Sequence, residues 1–504
     1  MTNTFLSLRT RLIRLIQTEA GTTTPARLVL LRSHAQASAL VLTIWLALLL
    51  DITGALHAYG LGALMGQRLS LAGALLLVVV SGGWLVVVAQ ATCAPSHPSG
   101  LAGAAIHQRR LVLLLLLLAW LATLANMALF LLPTVGPLSA LVMGGGLLAL
   151  ALAVVWPPPT VWVLALAVGL GTFARLASFA HVPIHPSHSD MLPLVVGALK
   201  NVLAGHSPYT LYHMPWELPL TYLPVTWLAY LPPFLAGLDV RITNLLAELG
   251  VGGALLWLAL VRSRQSAGGQ SVRGREEIGL LLWGWFFLQP STLNWSLSTT
   301  IPVLWALLSL LLVLVVAGRL GWAALVFGLC LAASPIAALV GPFVLLCWLW
   351  AAGWRRTLVL AATAAGVAAL CIVPFWRWSP EQFLFGTWRW FNDNNLYPRL
   401  RWDMDNTWAV HVGFSGVFWR HGWVSLLKPM QAALVLALAG FYALWRAPAH
   451  LIAPLVAAAV LLFMVFNPVL WPYLYTPAMV AALVALVSLV PAHSSQTFEQ
   501  EKLL

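Results

Sequence analysis

The stretch 181-HVPIHPSHSDMLPLVVGALKNVLAGHSPYTLYHMPWELPLTYLPVTWLAYLPP-233 decides how the chain folds, because it is polar where its surroundings are apolar. It holds five of the thirteen histidines (His181, His185, His188, His206, His213) and Asp190, one of six aspartates. The rest of the 504 residues read as membrane helix. The chain is 61% hydrophobic and 8% charged, against roughly 25% charged in a soluble domain, and its mean hydropathy is +0.90. Apolar runs recur from position 37 to position 490, and helices satisfy their own backbone groups in lipid. The expected fold is an all-α polytopic membrane protein, a bundle of about 13–14 membrane helices with two long loops on its outer face.

Outward from that stretch, charge sets the orientation. The net charge of +12 reflects arginines gathered between apolar segments, as cytoplasmic loops require, so it does not argue for nucleic acid as a partner. Residues 1–36 carry Arg9, Arg11, Arg14, Arg27 and Arg32 against Glu19. With Phe5, Leu8, Leu12 and Leu15 at helical spacing, they predict a basic amphipathic segment on the cytoplasmic leaflet. An extra four-helix block, 37–156, follows, with crossings near 37–59, 70–92, 111–132 and 137–156. The core, 157–490, has outer loops at 179–242 and 376–426, and 491–504 form a cytoplasmic tail. Pro219, Pro224, Pro232 and Pro233 bar a continuous helix over 219–238, which predicts a re-entrant or interfacial piece, so that only 243–262 crosses. Later crossings are expected near 278–290, 301–317, 321–333, 336–352, 357–375, 427–445, 450–467 and 473–490. The protein is therefore expected in the inner (plasma) membrane, multi-pass, with both termini cytoplasmic.

Each loop carries residues suited to chemistry. Asp190 is the sole carboxylate between Asp51 and Glu217. A carboxylate held ionised by donors or cations accepts a proton from a hydroxyl nucleophile, and a helix N-cap at Ser189–Asp190 is a compatible role. His181, His185 and His188 with Asp190 could ligate a divalent metal, but their spacing matches no zinc motif. Separate hydrogen-bonding histidines are the simpler reading, and no cofactor is expected. The second loop interleaves Trp376, Trp378, Trp388, Trp390, Trp402, Trp408, Trp419 and Trp423 with Arg377, Arg389, Arg399, Arg401 and Arg420. Such a surface offers apolar platforms and planar forks for phosphate oxygens; the alternative is an interfacial aromatic belt with snorkelling arginines. Residues 203–212, LAGHSPYTLY, read as a turn, and 467–477, NPVLWPYLYTP, as a kinked aromatic segment containing Tyr473. Cys93, Cys330, Cys347 and Cys371 share no ligand spacing and read as buried thiols.

Asp190, then Gly205–His206–Ser207–Pro208–Tyr209, then Tyr222–Leu223–Pro224, resemble the start of the polyprenyl-phosphate-dependent membrane glycosyltransferases of the GT-C class. The likeness is greatest to the family-87 mannosyltransferase-like branch. The runs 289–300 and 317–346 are similar in layout, with Ser298–Thr299 where relatives often have Gly-Gln, and Ala333–Ser334–Pro335 where they have Lys before Pro. The resemblance implies a GT-C-like bundle and a polyprenyl-phosphate sugar donor, a hexose such as mannose being the expected sugar. It also implies a lipid or glycan acceptor, and Asp190 as catalytic base on the outer face. His188, His206, Tyr209, Tyr222, Trp388, Arg389, Arg399, Arg401 and Tyr473 are taken as the substrate-binding candidates. Two other readings stand beside it. A lipid-glycan flippase would need charges facing one another within the bundle, for which Glu248 and Arg175 are the candidates. A non-catalytic accessory subunit would use the extra four helices for docking.

Overall fold

The computed structural model describes residues 38–50, 75–88, 121, 123–124, 136–155, 160–214, 217–265, 273–390, 414, 418, 421–446, 448–467 and 472–489. Both terminal segments, nearly all of 111–132, and Arg399 and Arg401 with most of the second loop fall outside the described residues.

The extra block contributes α1 (Ser38–Leu50), α2 (Leu75–Val88) and α3 (Pro137–Val155). After α4 (Thr160–His181) the polar stretch folds into α5 (Met191–Leu203), the antiparallel hairpin β1 (Leu211–His213) and β2 (Glu217–Pro219), α6 (Pro224–Leu228) and α7 (Leu231–Leu235). There follow α8 (Ile242–Gln265), α9 (Arg273–Phe287), α10 (Pro290–Ser298), α11 (Ile301–Val316), α12 (Leu320–Ala333) and α13 (Ala337–Trp378). Next come α14 (Pro380–Leu384), a π-helical turn at Phe385–Arg389, α15 (Leu427–Trp445), α16 (Ile452–Val465) and α17 (Thr476–Ser488). Among the described residues, four helices are long and apolar enough to cross a membrane, or five if the α10–α11 pair, bent by 111°, is one span. The protein is thus an all-α polytopic membrane protein. These spans are fewer than the 13–14 expected: several apolar helices have 10–17 described residues, short of the roughly 20 that cross the hydrocarbon, and the expected crossing at 111–132 lies almost wholly outside the described residues.

The four prolines act as anticipated on 219–238, which splits into two five-residue helices. The stretch 289–300, by contrast, is a short buried helix, α10, followed by a sharp bend into α11. α13 doubles back. Gly353 sits at φ 77°, ψ 165° within it, a left-handed conformation that glycine alone adopts without strain. In a continuous helix Trp348 and Ala364 would lie about 24 Å apart. Yet adjacent residues of α12 touch both: Phe327 packs on Trp348 (ring centroids 6.1 Å), and a Cβ on Gly328 would stand 2.5 Å from the Ala364 carbonyl. Two antiparallel arms therefore flank α12, as the separate segments 336–352 and 357–375 suggested.

The bundle has two distinct ends. At one, the Arg262 guanidinium donates to the Ser488 carbonyl, and Ser488 Oγ donates to the His450 carbonyl at 3.0 Å. The Gly318–Arg319 and Gly353–Arg356 turns lie at this end too, since α11 and the first arm of α13 both run away from the polar stretch. At the other end lies the folded polar stretch. Exposed tryptophans mark both levels: Trp162, Trp322 and Trp354 at the arginine end, Trp376, Trp378, Trp388 and Trp423 at the other. Trp354 and Trp376 are separated by about 33 Å of helix, close to the hydrocarbon thickness of a bilayer. Leu358, Val359 and Leu370 are exposed between them, as lipid-facing residues should be.

The apolar residues form one large core through the bundle and a second, smaller one at the loop end. The extra block joins the large core: the Gln289 amide donates to the Ala47 carbonyl at 3.2 Å, and Gly146 lies against Leu288. In the small core, α5 turns Leu192, Val195 and Leu199 inward at helical spacing onto Tyr209, Trp227 and Tyr230, each large side chain contributing about 1.5–3 kcal/mol.

Candidate active site at the seam of the two cores

Asp190 is the N-cap residue of α5 but makes no side-chain capping bond; Ser189 Oγ instead accepts from the Met191 amide at 3.3 Å. The helix dipole favours an anion there. α5 ends in a Schellman turn, with the His206 amide on the Asn201 carbonyl at 2.8 Å, the Gly205 amide on Val202 at 3.0 Å, and Gly205 at φ 77°. This fixes how the chain leaves the helix. Tyr209 then enters the small core, 1% exposed. Its hydroxyl donates to the Tyr222 carbonyl at 3.0 Å and accepts from Trp227 Nε1 at 3.4 Å. Tyr209 is therefore a pin that holds Tyr222, with its polar atom already used inside the protein.

Half-buried Tyr222 is the meeting point. Burial drives its pKa well above the ordinary 10, and the neighbouring Asp190 carboxylate, Tyr473 and Tyr230 push it further, opposed by a hydrogen bond with Thr300. The phenol thus stays protonated and remains a donor beside a carboxylate. Three anchors hold this group in place. The Tyr230 hydroxyl donates to Asn244 Oδ1 at 2.5 Å, and Asn244 Nδ2 donates to the Ser296 and Thr299 carbonyls at 2.7 and 2.8 Å, pinning the α10–α11 bend. Trp305 Nε1 donates to Thr476 Oγ1 at 2.7 Å, and that hydroxyl donates to the Tyr473 carbonyl at 2.5 Å, tying Tyr473 to α11. Thr226 Oγ1 donates to the Ala333 carbonyl at 2.6 Å, docking α6 on α12. Asp190, Tyr222 and Tyr473, three of the sequence candidates, are thereby gathered where the small core meets the large one. Thr300, Tyr230 and Asn244 join them and were not anticipated; Asn244, an amide inside an apolar run, was the available signal.

The other described candidates sit elsewhere. His188 and His206 are exposed on the loop surface, as are His181 and His185. The His181 ring bonds the Ala177 carbonyl at 2.9 Å and the His185 ring bonds Ser187 Oγ at 2.8 Å. Among the described residues, no three His, Cys, Asp or Glu side chains converge as a metal site. Trp388 and Arg389 lie on the exposed start of the second loop. The two loops do touch: Ser207 Oγ and Ser379 Oγ are 2.5 Å apart, and Tyr209 packs edge-on against Phe383 at 4.6 Å. An open groove of about 260 Å³ runs between them, with Arg389 on its wall. Among the described residues this groove shares no lining residue with the Asp190 cluster, although both lie at the same end of the bundle.

Two buried arginines support the scaffold. Arg241, 2% exposed, pairs with Asp239 at 2.6 Å, donates to the Phe179 and Val182 carbonyls at 2.8 and 2.5 Å, and stacks over Phe179. It caps the C-terminus of α4, where a cation is favoured. Arg175 and Glu248, between α4 and α8, pair through two bonds of 2.6 and 3.0 Å. The two charged candidates named from the sequence, Glu248 and Arg175, thus face one another inside the bundle. Comparison of the chain with protein-family models, with curated proteins and with solved structures found no match.

Proposed function

We propose that this protein is a membrane glycosyltransferase of GT-C-like architecture that uses a polyprenyl-phosphate hexose as donor. The observation that carries the reading is the meeting of Asp190, Tyr222, Tyr473 and Thr300 at the seam of the two cores. A carboxylate and neutral phenols, held by buried hydrogen bonds and half open to solvent, make a preorganised base with donors beside it. Asp190 takes the proton of an acceptor hydroxyl as that oxygen bonds to the anomeric carbon. The bond from that carbon to the phosphate oxygen breaks, and the polyprenyl phosphate leaves as an anion. Arg377, exposed between Trp376 and Trp378 in the last turn of α13, suits the phosphate at headgroup level. The arginine-rich end is then cytoplasmic and the reaction belongs to the outer face.

The test is transfer from a radiolabelled polyprenyl-phosphate hexose by purified protein. Asp190→Asn should reduce the rate by about 10²–10⁴-fold, the usual contribution of a general base, while the variant purifies as a folded protein. Full activity in Asp190→Asn would remove this mechanism. The Arg175–Glu248 pair favours a second reading, transport of a lipid-linked glycan, because ionised pairs within a bundle mark many transport pathways. Scrambling of labelled lipid in proteoliposomes with no sugar transfer would select it.

A further inference from the structure

We propose that the groove between the hairpin and the π-helical turn is a binding site for one neutral pyranose ring. Naming that ring as part of the acceptor rests on the transferase reading; the binding itself does not. One wall is Thr210 and Pro219 at the two edges of the hairpin, and the other is Glu381, Gln382, Phe385 and Arg389. The π winding over Phe385–Arg389 gives more than four residues per turn, which brings Phe385 and Arg389 to one face with Glu381 and Gln382. Short π segments recur at functional positions in helices.

The walls are fixed relative to each other by the Ser207–Ser379 bond, the Tyr209–Phe383 ring contact, and Gly386, whose added Cβ would lie 2.3 Å from the Leu220 carbonyl. The lining selects the ligand. Glu381 only accepts hydrogen bonds, Arg389 only donates, and Gln382 and Thr210 do both. A phosphate offers acceptors alone and would meet the Glu381 carboxylate unproductively, whereas the hydroxyls of a sugar donate and accept. Glu381 and Arg389 cancel in charge, so the groove does not concentrate anions, and Phe385 supplies the apolar face. Its volume of about 260 Å³ is just under the roughly 300 Å³ at the small end of ligand pockets, leaving room for a single ring but not for an isoprenoid chain. Arg389, expected from the sequence to hold lipid phosphate, is here assigned to a sugar.

Saturation-transfer NMR on the full-length protein in nanodiscs tests this with methyl α-mannopyranoside, maltotriose and inorganic phosphate as probes. At least one sugar should receive saturation from the protein, and phosphate should not compete with it. Phe385→Ala and Gln382→Ala should each weaken sugar binding about tenfold or more. Arg389→Gln and Gln382→Ala change exposed side chains, so they cover the case in which Phe385→Ala does not fold. Sugar binding unaltered in all three variants, no binding by either sugar, or competition by phosphate would overturn the assignment. Because binding and not transfer is read, the result stands apart from the fate of Asp190 as a base.

Discussion

Replacing Arg175 by methionine should destabilise this protein more than almost any other single substitution. The guanidinium is fully buried and Glu248 is 2% exposed. Arg175 makes two charge-assisted bonds to the carboxylate at 2.6 and 3.0 Å and a third to the Gly171 carbonyl at 3.1 Å, and it stacks on Phe287 at 3.9 Å. Without it, the Glu248 carboxylate keeps Ser296 Oγ as a donor at 3.2 Å, too little to offset a buried charge. Breaking one side of such a pair costs about 3–5 kcal/mol, whereas replacing both partners by apolar residues of similar volume is often neutral or stabilising. The Arg175→Met/Glu248→Met double variant should therefore recover most of the loss, giving a coupling energy of about 3 kcal/mol or more. Unfolding of the four proteins of the cycle in mixed micelles, followed by tryptophan fluorescence, measures it. Wild-type stability in Arg175→Met, or additive losses in the double variant, would refute the reasoning. A double variant that is stable yet inactive would give the pair a functional role beyond packing.

Other consequences can be checked directly. Burial raises the Tyr212 pKa to about 12, so its neutral form is favoured by folding; that contribution is complete below pH 10 and is lost as pH rises from 10 towards 12. Stability measured across pH 9–12 should fall in this window, and Tyr212→Phe should flatten part of the fall; an unchanged profile would contradict the assignment. Gly386→Ala should destabilise by about 1–3 kcal/mol through overpacking, because the Leu220 carbonyl that it meets is backbone; a thermal melt equal to wild type would show that the loops are not in contact there. The 2.5 Å Ser207–Ser379 approach predicts that Ser207→Cys with Ser379→Cys oxidises to a crosslink joining the two loops. Failure to crosslink would separate the loops and remove the sugar groove.

Much of the architecture was legible because membrane insertion reads local quantities. The prolines of 219–238 forbid a span wherever that segment ends up, and Trp354–Arg355–Arg356 announces a turn at a helix end without knowledge of the partner. Asp190, Tyr222 and Tyr473 drew attention for the same reason: polar or aromatic residues in an apolar chain have few neutral explanations. Tyr209 looked equally suited to a ligand, and the small core instead uses its hydroxyl to hold Tyr222. The segment 289–300 has the polarity of a loop, yet it forms a buried helix because Asn244 and Glu248 of α8 satisfy its carbonyls and Ser296 hydroxyl.

By itself, the amino-acid sequence determined that this is a multi-helix membrane protein with two polar segments at the ends of apolar runs, since hydropathy and proline placement act over a few turns of chain. Tertiary structure alone decided which distant residues meet: Arg175 with Glu248, Ser207 with Ser379, and Tyr473 beside Tyr222 and Asp190. Those pairings depend on how helices pack side by side, and packing is set by the shapes of whole surfaces that no local pattern encodes.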